Sequence, residues 1–251
     1  MPRLYQVDMV AVGSRSELSQ DLPVQSRVMN PGIRTFLSFA AVASLMSTPA
    51  QASPPAHQNQ EEQQGPKSYE EVVTPDAVTD EGVFDVHRIG EGLLFEIPDS
   101  LLGRDMLLVS RIGKVPVGFP GFSPAGVKTG TQVLRWERRA DRVLLRTISY
   151  ANVADDELAI SRSVEANNFG PIIAAFDVEA EGPGGTSIVI DVTDFYEADT
   201  PALTGLSAAQ RDEYNVRRLD PDRSFINYVR SFPLNVDVRH TMSYVADDPP
   251  A

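Results

Sequence analysis

The chain has 251 residues with 42% hydrophobic content, which is enough for one good-sized globular domain with additional terminal segments. Its formal net charge of -13 argues against nucleic acid as a partner, because phosphate binding requires clustered lysine and arginine. The chain has no cysteine, which excludes disulfides, thiolate metal sites and a lipid-anchoring cysteine near the N-terminus. Because the acidic residues are scattered, the charge indicates solubility rather than an acidic binding face.

Residues 29–52 have the layout of a secretory signal peptide. A basic Arg34 is followed by an apolar run and by small residues that end at Ala52. The apolar run is too short to span a bilayer, and the prolines that begin at Pro54 prevent a helix from continuing. We therefore expect cleavage between Ala52 and Ser53 and a secreted or periplasmic protein without a transmembrane segment. The alternative is a short buried helix.

The segments on either side of this signal are predicted to lack a fold. A signal's basic region belongs at the N-terminus, so we predict that Met29 is the true start and that residues 1–28 are a mis-called extension. The alternative is a cytoplasmic tail ahead of a signal anchor. Residues 53–68 are rich in Gln, Glu and Pro, which predicts a disordered linker. The folded module is then predicted to span residues 69–251.

Residues 82–112 predict strand, turn, strand, one helical turn and strand. Residues 83–89 and 93–97 are β-rich runs separated by Gly90-Glu91-Gly92, and glycine supplies the positive φ that a tight hairpin needs. After Pro98 a single helical turn is expected, and a third strand follows over residues 105–112.

Two more hairpins are predicted further along the chain. Residues 131–139 and 142–150 alternate and join at Ala140-Asp141, while residues 172–178 and 187–192 are separated by a Gly-Pro-Gly-Gly turn. Residues 114–130 are rich in proline and glycine, which predicts a long loop and hence a candidate contact surface.

The C-terminal part predicts one short helix and three strands. The helix begins at Ser207, which has capping-box spacing to Gln210, and the strands cover residues 215–219, 224–229 and 236–244. Together these elements predict a mainly β fold, an antiparallel sheet or sandwich built from successive hairpins with one or two short helices. We expect the last strand to lie on an open edge and the module to be truncated at its C-terminus.

No residue pattern predicts a catalytic, cofactor or metal site. The chain has three histidines, of which His57 lies in the linker, while His87 and His240 lie on strands and are predicted to be packing residues. A catalytic zinc site would need three protein ligands with at least one pair at fixed spacing. Ser123 lies in a loop rather than in the strand-to-helix turn of a nucleophile elbow.

The remaining polar candidates also favour structural roles. A calcium loop would need a glycine and a terminal Glu that the acidic segment after residue 190 lacks, so its carboxylates are expected to cap a strand end and start a turn. That segment holds Asp191, Asp194, Glu197 and Asp199. Asp155-Asp156-Glu157 is expected to form a solvated turn. Trp136 is expected to pack on a sheet face, with a cation–π contact to a neighbouring arginine as the alternative.

Several segments, in order, resemble the N-terminal region of a family of secreted bacterial zinc-dependent metalloproteases. They are FEIPDSLLGRDMLLVSRI, TQVLRWERRADRVLLRTISYANVADDELAI, PIIAAFDVEA, SIVIDVTDFYEAD and YNVRRLDPDRSFINYVRSFPLNVDVRH, and the resemblance runs from about Tyr69 to about Tyr244. In that family the region carries names that mean only "domain of unknown function". The resemblance implies that zinc and a His-Glu-x-x-His helix belong to a later catalytic domain, normally in the same chain.

Three functions follow from these observations. The first is a non-catalytic N-terminal part of such a protease, which braces the catalytic domain, positions substrate or holds the enzyme inactive. The second is a free-standing secreted β-domain that binds a protein or polysaccharide through the loop of residues 114–130. The third is an enzyme that uses paired carboxylates, although no pairing can be assigned from sequence.

Overall fold

The computed structural model describes residues 12–14, 65–114, 124–155, 157–204 and 206–247, and of residues 12–14 it describes only the backbone pairing. These residues are mainly β, as predicted, with four short α-helices rather than one or two. The strands are β1 (Val12–Ser14), β2 (Val78–Asp80), β3 (Asp85–Ile89), β4 (Gly92–Pro98), β5 (Asp105–Arg111), β6 (Lys128–Arg139), β7 (Arg142–Ile148), β8 (Ile172–Glu181), β9 (Ser187–Asp191), β10 (Val216–Leu219), β11 (Phe225–Ser231), β12 (Asn235–Thr241) and β13 (Tyr244–Ala246). The helices are α1 (Tyr69–Val72), α2 (Ser161–Asn167), α3 (Thr193–Glu197) and α4 (Ala208–Glu213).

All three predicted hairpins form. Ile89 pairs with Gly92, so β3 and β4 are joined by a two-residue turn in which Gly90 has a φ of 59°. β6 and β7 turn at Ala140, whose φ of 53° is unusual for a residue with a side chain, and β8 and β9 turn through a 3-10 segment, Pro183–Gly185.

The strands of these hairpins belong to one large antiparallel sheet. Its order is β11-β12-β1-β5-β6-β7-β8-β9-β4-β3-β2, and β10 and β13 form a separate two-stranded sheet. Neighbouring strands in the large sheet are antiparallel throughout. The link between β4 and β9 is long-range, because it pairs Phe95 with Ile190.

The end of β11, one edge strand of the large sheet, contacts the β2–β3 connection beside the other edge. The amide of Val83 donates to the carbonyl of Phe232 across 2.8 Å, and the hydroxyl of Ser231 donates to the carbonyl of Phe84 across 2.6 Å. A sheet with this many strands rarely stays open without curling. We call this contact between β11 and the β2–β3 connection the seam.

One large apolar core packs on one face of the sheet, and a small cluster lies on the opposite face. The core includes Trp136, whose ring centroid lies 6.2 Å from that of Phe84 and 5.6 Å from that of Phe176. On the other face, α1 places Tyr69 and Val72 against a second cluster built on β4, β8 and β9.

The C-terminal strand is not on an open edge, which corrects the expectation from sequence. β12 pairs with β11 on one side and with β1 on the other. The predicted continuous strand over residues 236–244 is also interrupted, because Ser243 leaves the ladder. Its amide donates to the hydroxyl of Ser224 and its own hydroxyl donates to the carbonyl of Arg223, after which β13 pairs with β10.

Candidate functional site

A cavity, which we call the α4 cavity, lies between Ile112, the C-terminal end of the predicted 114–130 loop and the segment that leads into α4. Its volume is about 650 Å³. Residues 115–123 of that loop lie outside the described residues, and the loop contributes residues 127–129 to the described lining. The lining side chains come from Ile112, Val127, Lys128, Thr129, Asp199, Pro201, Thr204, Leu206, Ser207, Ala208, Gln210 and Arg211.

A network of hydrogen bonds fixes one wall of this cavity. Arg211 on α4 donates to both carboxylate oxygens of Asp199, across 2.7 and 2.6 Å. The hydroxyl of Tyr244 donates to the same carboxylate across 3.0 Å, and the guanidinium lies 5.3 Å from the centroid of the Tyr244 ring. The hydroxyl of Thr204 accepts from Arg211 across 3.1 Å. Bidentate pairs of this kind are both strong and geometrically specific.

The electrostatics of this wall oppose proton transfer near neutral pH. Burial raises the pKa of Tyr244 to about 12, and the hydrogen bond to Asp199 raises the pKa of Arg211. Ser207 is already used as the N-cap of α4, where its hydroxyl accepts from the amide of Gln210. The wall therefore presents fixed donors and a compensated ion pair, an arrangement that suits binding better than acid–base chemistry.

A second polar cluster lies beneath α1 and is centred on Glu96, which sequence reasoning missed. Glu96 is 8% exposed and accepts from Tyr69 across 2.9 Å and from Ser187 across 2.5 Å. His87 contacts Glu96 across 3.2 Å through Nε2 and the hydroxyl of Thr79 across 2.8 Å through Nδ1. A carboxylate within the otherwise apolar strand of residues 92–98 is the signal that points to this cluster.

The order hydroxyl, imidazole and carboxylate in this cluster is also found in hydrolytic sites, but the carboxylate has other partners here. Because Tyr69 and Ser187 both donate to Glu96, this carboxylate is shared among three side chains rather than devoted to His87. The cluster thus connects α1, β3, β4 and β9. We assign it a structural role, which is to satisfy polar groups that would otherwise be buried without partners.

The structure does not bring the two strand histidines together. His87 lies in the Glu96 cluster on the face that α1 covers, whereas His240 is fully buried in the main core. There its Nδ1 lies 2.5 Å from the carbonyl oxygen of Tyr196, and the two rings make an edge contact. Both side chains are buried, while His57 and Ser123 lie outside the described residues.

Three of the four carboxylates in the acidic segment have structural partners. Asp191 accepts from the amide of Thr193 at the start of α3, Glu197 accepts from the amide of Ile226 on β11, and Asp199 pairs with Arg211. Asp194 lies in the first turn of α3. The described residues contain no group of three acidic, histidine or cysteine side chains that could hold a metal ion.

Trp136 packs in the core as predicted. Its flanking arginines point to carboxylates elsewhere, since Arg135 pairs with Asp105 and Arg138 pairs with Glu181. In the second acidic segment, Asp155 accepts from the amide of Glu157 in the predicted turn, and Asp156 lies outside the described residues.

Fold and cavity together define a mainly β, antiparallel domain with an open, polar-walled site. Residues 126–251, half of the chain, match the family model described as domain of unknown function (DUF5117), and residues 66–115 match a second one, DUF5118. The chain therefore belongs to the DUF5117 family. None of the curated proteins or solved structures matches it. Within the described residues, no helix is long and apolar enough to cross a membrane.

Proposed function

We propose that this chain is the non-catalytic N-terminal module of a secreted zinc-dependent metalloprotease and that it acts by binding the catalytic part. The resemblance of its ordered segments to that family supports the proposal. The DUF5118 and DUF5117 matches follow each other in the same region of the chain. Zinc is expected in the catalytic part, and secretion is expected to follow removal of residues 1–52.

The observation that carries the proposal is the wall of the α4 cavity, whose polar groups already bind one another. The carboxylate of Asp199 is compensated by Arg211 and also accepts from Tyr244, which leaves it poorly suited to activate water or a nucleophile. A rigid wall of fixed donors is what a recognition surface needs, because little conformational entropy is lost when a partner binds.

The charged side chains on the cavity lining indicate which chemical group the cavity binds. Lys128 is exposed on the lining and has no ion pair among the described residues, while Arg211 already offsets Asp199. The cavity rim is therefore locally cationic on a chain whose net charge is -13. We expect the partner surface to present a carboxylate to Lys128.

The proposal can be tested first on the gene and then by a binding measurement on the protein. The gene is read beyond the codon of residue 251, in every frame, for a His-Glu-x-x-His motif, and the encoded segment is produced and titrated with the full chain. We expect binding that Lys128→Glu weakens about tenfold, while Lys67→Glu, on the far segment before α1, leaves it unchanged. If no related sequence lies downstream, the proposal fails.

The alternative is a free-standing secreted β-domain that binds a protein or polysaccharide. One observation favours it, since residues 127–129 at the C-terminal end of the 114–130 loop line the α4 cavity, as expected of a binding loop. Binding to immobilised polysaccharides, lost on Lys128→Glu in the absence of any protease segment, would distinguish this function from the first.

A further inference from the structure

Another cavity lies beside the seam, where the two edge strands of the large sheet approach each other. These strands are β2 and β11. The amide of Ser231 on β11 donates to the carboxylate of Asp80 on β2 across 3.0 Å. Adjacent to this contact, a cavity of about 290 Å³ lies between β2, β3 and β11. We call it the edge cavity, and its lining comes from Val78, Thr79, Asp80, Val86, Arg88, Val229 and Arg230.

Two arginines of the edge cavity have only loose ion pairs. Nη2 of Arg88 lies 4.0 Å from a carboxylate oxygen of Glu91, and Nε of Arg230 lies 3.9 Å from one of Asp80. Both separations are longer than a hydrogen bond between nitrogen and oxygen. Neither guanidinium therefore donates to the carboxylate beside it.

Other arginines of the protein bind their carboxylates more closely. Arg135, Arg146 and Arg217 donate to a carboxylate oxygen across 2.6, 3.0 and 2.6 Å. In the edge cavity, by contrast, Nη1 of Arg88 is buried and has no hydrogen-bond partner among the described residues. Buried polar groups nearly always have such a partner. The side chain of Arg88 thus presents a donor that the described part of the fold does not use.

The carboxylates around the edge cavity have other environments. Asp80, the one acidic residue of the described lining, already accepts from an amide of β11. Burial raises the pKa of Glu197 on α3 while the charge of Arg88 opposes that rise, and this carboxylate accepts from the amide of Ile226. Glu91 is 86% exposed, so water solvates most of its side chain. None of these carboxylates supplies the acceptor for Nη1 of Arg88.

We propose that the edge cavity is a binding site for a carboxylate group, which Arg88 and Arg230 hold. The planar guanidinium presents paired N–H donors that match the two oxygens of a carboxylate. The side chain of Arg88 is 25% exposed, and hydrogen bonds to a charged group are stronger where water is partly excluded. A carboxylate also carries less charge than a phosphate, so Asp80 repels it less.

The size of the edge cavity limits what carries the carboxylate. Its volume lies at the lower end of the range for ligand sites, and three of its lining residues are valines, which suit a short alkyl stem. The carboxylate therefore belongs to a small organic acid or to one acidic side chain of a polypeptide. The edge cavity shares no lining residue with the α4 cavity, so this inference does not rest on the proposed function.

NMR titration of the full chain, labelled with ¹⁵N, tests the site. The reporters are the side-chain Nε–H of Arg88 and the backbone amides of Val86 and Val229. The first probe is sodium acetate, compared with sodium chloride at equal ionic strength. The second probe is the peptide acetyl-Ala-Glu-Ala-amide, whose control, acetyl-Ala-Gln-Ala-amide, has the same shape without the charge.

We expect saturable shifts of these resonances that chloride and the glutamine peptide do not produce. Arg88→Gln and Arg230→Gln should each weaken binding at least about tenfold, because each removes a charged donor. Asp80→Asn should tighten binding about threefold, because it removes a like charge and keeps an acceptor for the β11 amide. Arg142→Gln is the matched control at an exposed ion pair and should leave binding unchanged.

The two probes also distinguish the sources of the carboxylate. Binding of acetate shows that a free organic acid is sufficient, whereas binding of the glutamate peptide alone shows that the carboxylate comes from a polypeptide. The inference is overturned if neither probe shifts the reporters more than chloride does. It is also overturned if Arg230→Gln, a change at an exposed side chain that the fold tolerates, binds as tightly as Arg142→Gln.

Discussion

Tyr69 of helix α1 donates a hydrogen bond to Glu96 of strand β4 across 2.9 Å, and this contact ties the helix to the outer face of the sheet. Helix α1 has four residues, far fewer than a helix needs to be stable by itself. A capping box between Ser68 and Glu71 closes its first turn. The helix therefore depends on its contacts with the sheet, and Glu96 is central among them.

Replacing Tyr69 by Phe should change how stability depends on pH. Burial first, and then the hydrogen bond to Glu96, raise the pKa of Tyr69 from 10.0 to about 12. A raised pKa gives a contribution that is complete below pH 10 and is lost as the pH rises towards 12, because the unfolded chain releases the proton first. We expect Tyr69→Phe to cost about 1 kcal/mol at pH 7 and to flatten the fall in stability between pH 10 and 12.

The measurement is urea unfolding at pH 7, 10 and 11, with Tyr228→Phe as a control outside the Glu96 cluster. Some alkaline loss should persist in Tyr69→Phe, since burial also raises the pKa of Tyr196 and Tyr244. A variant whose alkaline fall equals that of the wild type would contradict the role assigned to the Tyr69 proton.

Local sequence signals predicted the hairpins, but not the order of the strands. Glycine at position 90 and the Ala140-Asp141 pair mark turns because tight turns demand unusual backbone angles that few residues adopt. The pairing of Phe95 with Ile190 joins positions far apart in the chain, and no local pattern specifies it. The insertion of β1 beside β12 was unpredictable for the same reason, and it overturned the expected open edge.

The polar sites could be predicted only in part. The spacing of Ser207 and Gln210 predicts the start of α4, because a capping box is a local sequence motif. The ion pair of Arg211 with Asp199, by contrast, depends on how α4 folds back onto the preceding loop. Glu96 could have been predicted as a polar site, since a carboxylate in a buried strand needs hydrogen-bond donors. Its donors Tyr69 and Ser187 could not be predicted, because they come from other elements.

Trp136 should be a sensitive reporter of the core. It is the one tryptophan of the chain and is 2% exposed, so its fluorescence should shift to longer wavelength when the protein unfolds. Its Nε1 has no hydrogen-bond partner among the described residues. Trp136→Phe therefore loses packing but no hydrogen bond, and we expect it to cost about 1–3 kcal/mol, less than the roughly 3–5 kcal/mol of Trp136→Ala.

Thermal unfolding followed by circular dichroism compares the two tryptophan variants. Equal losses would show that the indole contributes something beyond its contacts with Phe84 and Phe176. Arg139→Gln, at the exposed end of the same strand, serves as the control and should change the free energy of unfolding by less than about 0.5 kcal/mol.

Asp199→Asn should weaken the wall of the α4 cavity. The change replaces the carboxylate that Arg211 and Tyr244 share, so one charge-assisted pair is lost and the guanidinium keeps only weaker acceptors. We expect a cost of about 1–3 kcal/mol in the free energy of unfolding. Asp177→Asn, whose carboxylate pairs with Arg142 at the exposed surface, should cost no more than about 0.5 kcal/mol. Equal costs for the two changes in urea unfolding would contradict the proposed rigidity of the wall.

Gly82→Ala should open the seam between β11 and the β2–β3 connection. A Cβ at position 82 would lie 2.2 Å from the hydroxyl oxygen of Ser231 and 2.7 Å from the backbone N and O of Phe232. The serine hydroxyl can rotate, but the backbone atoms move only if β11 shifts away from the β2–β3 connection. We expect Gly82→Ala to cost about 1–3 kcal/mol and to speed exchange of the Val83 amide, which donates across the seam to Phe232.

Gly65→Ala is the matched control, because a Cβ there meets no atom within 4 Å. Amide exchange by NMR and urea unfolding check both effects, and a Gly82→Ala variant that keeps the Val83 amide protected would show that the two edges of the sheet are not held together at this point.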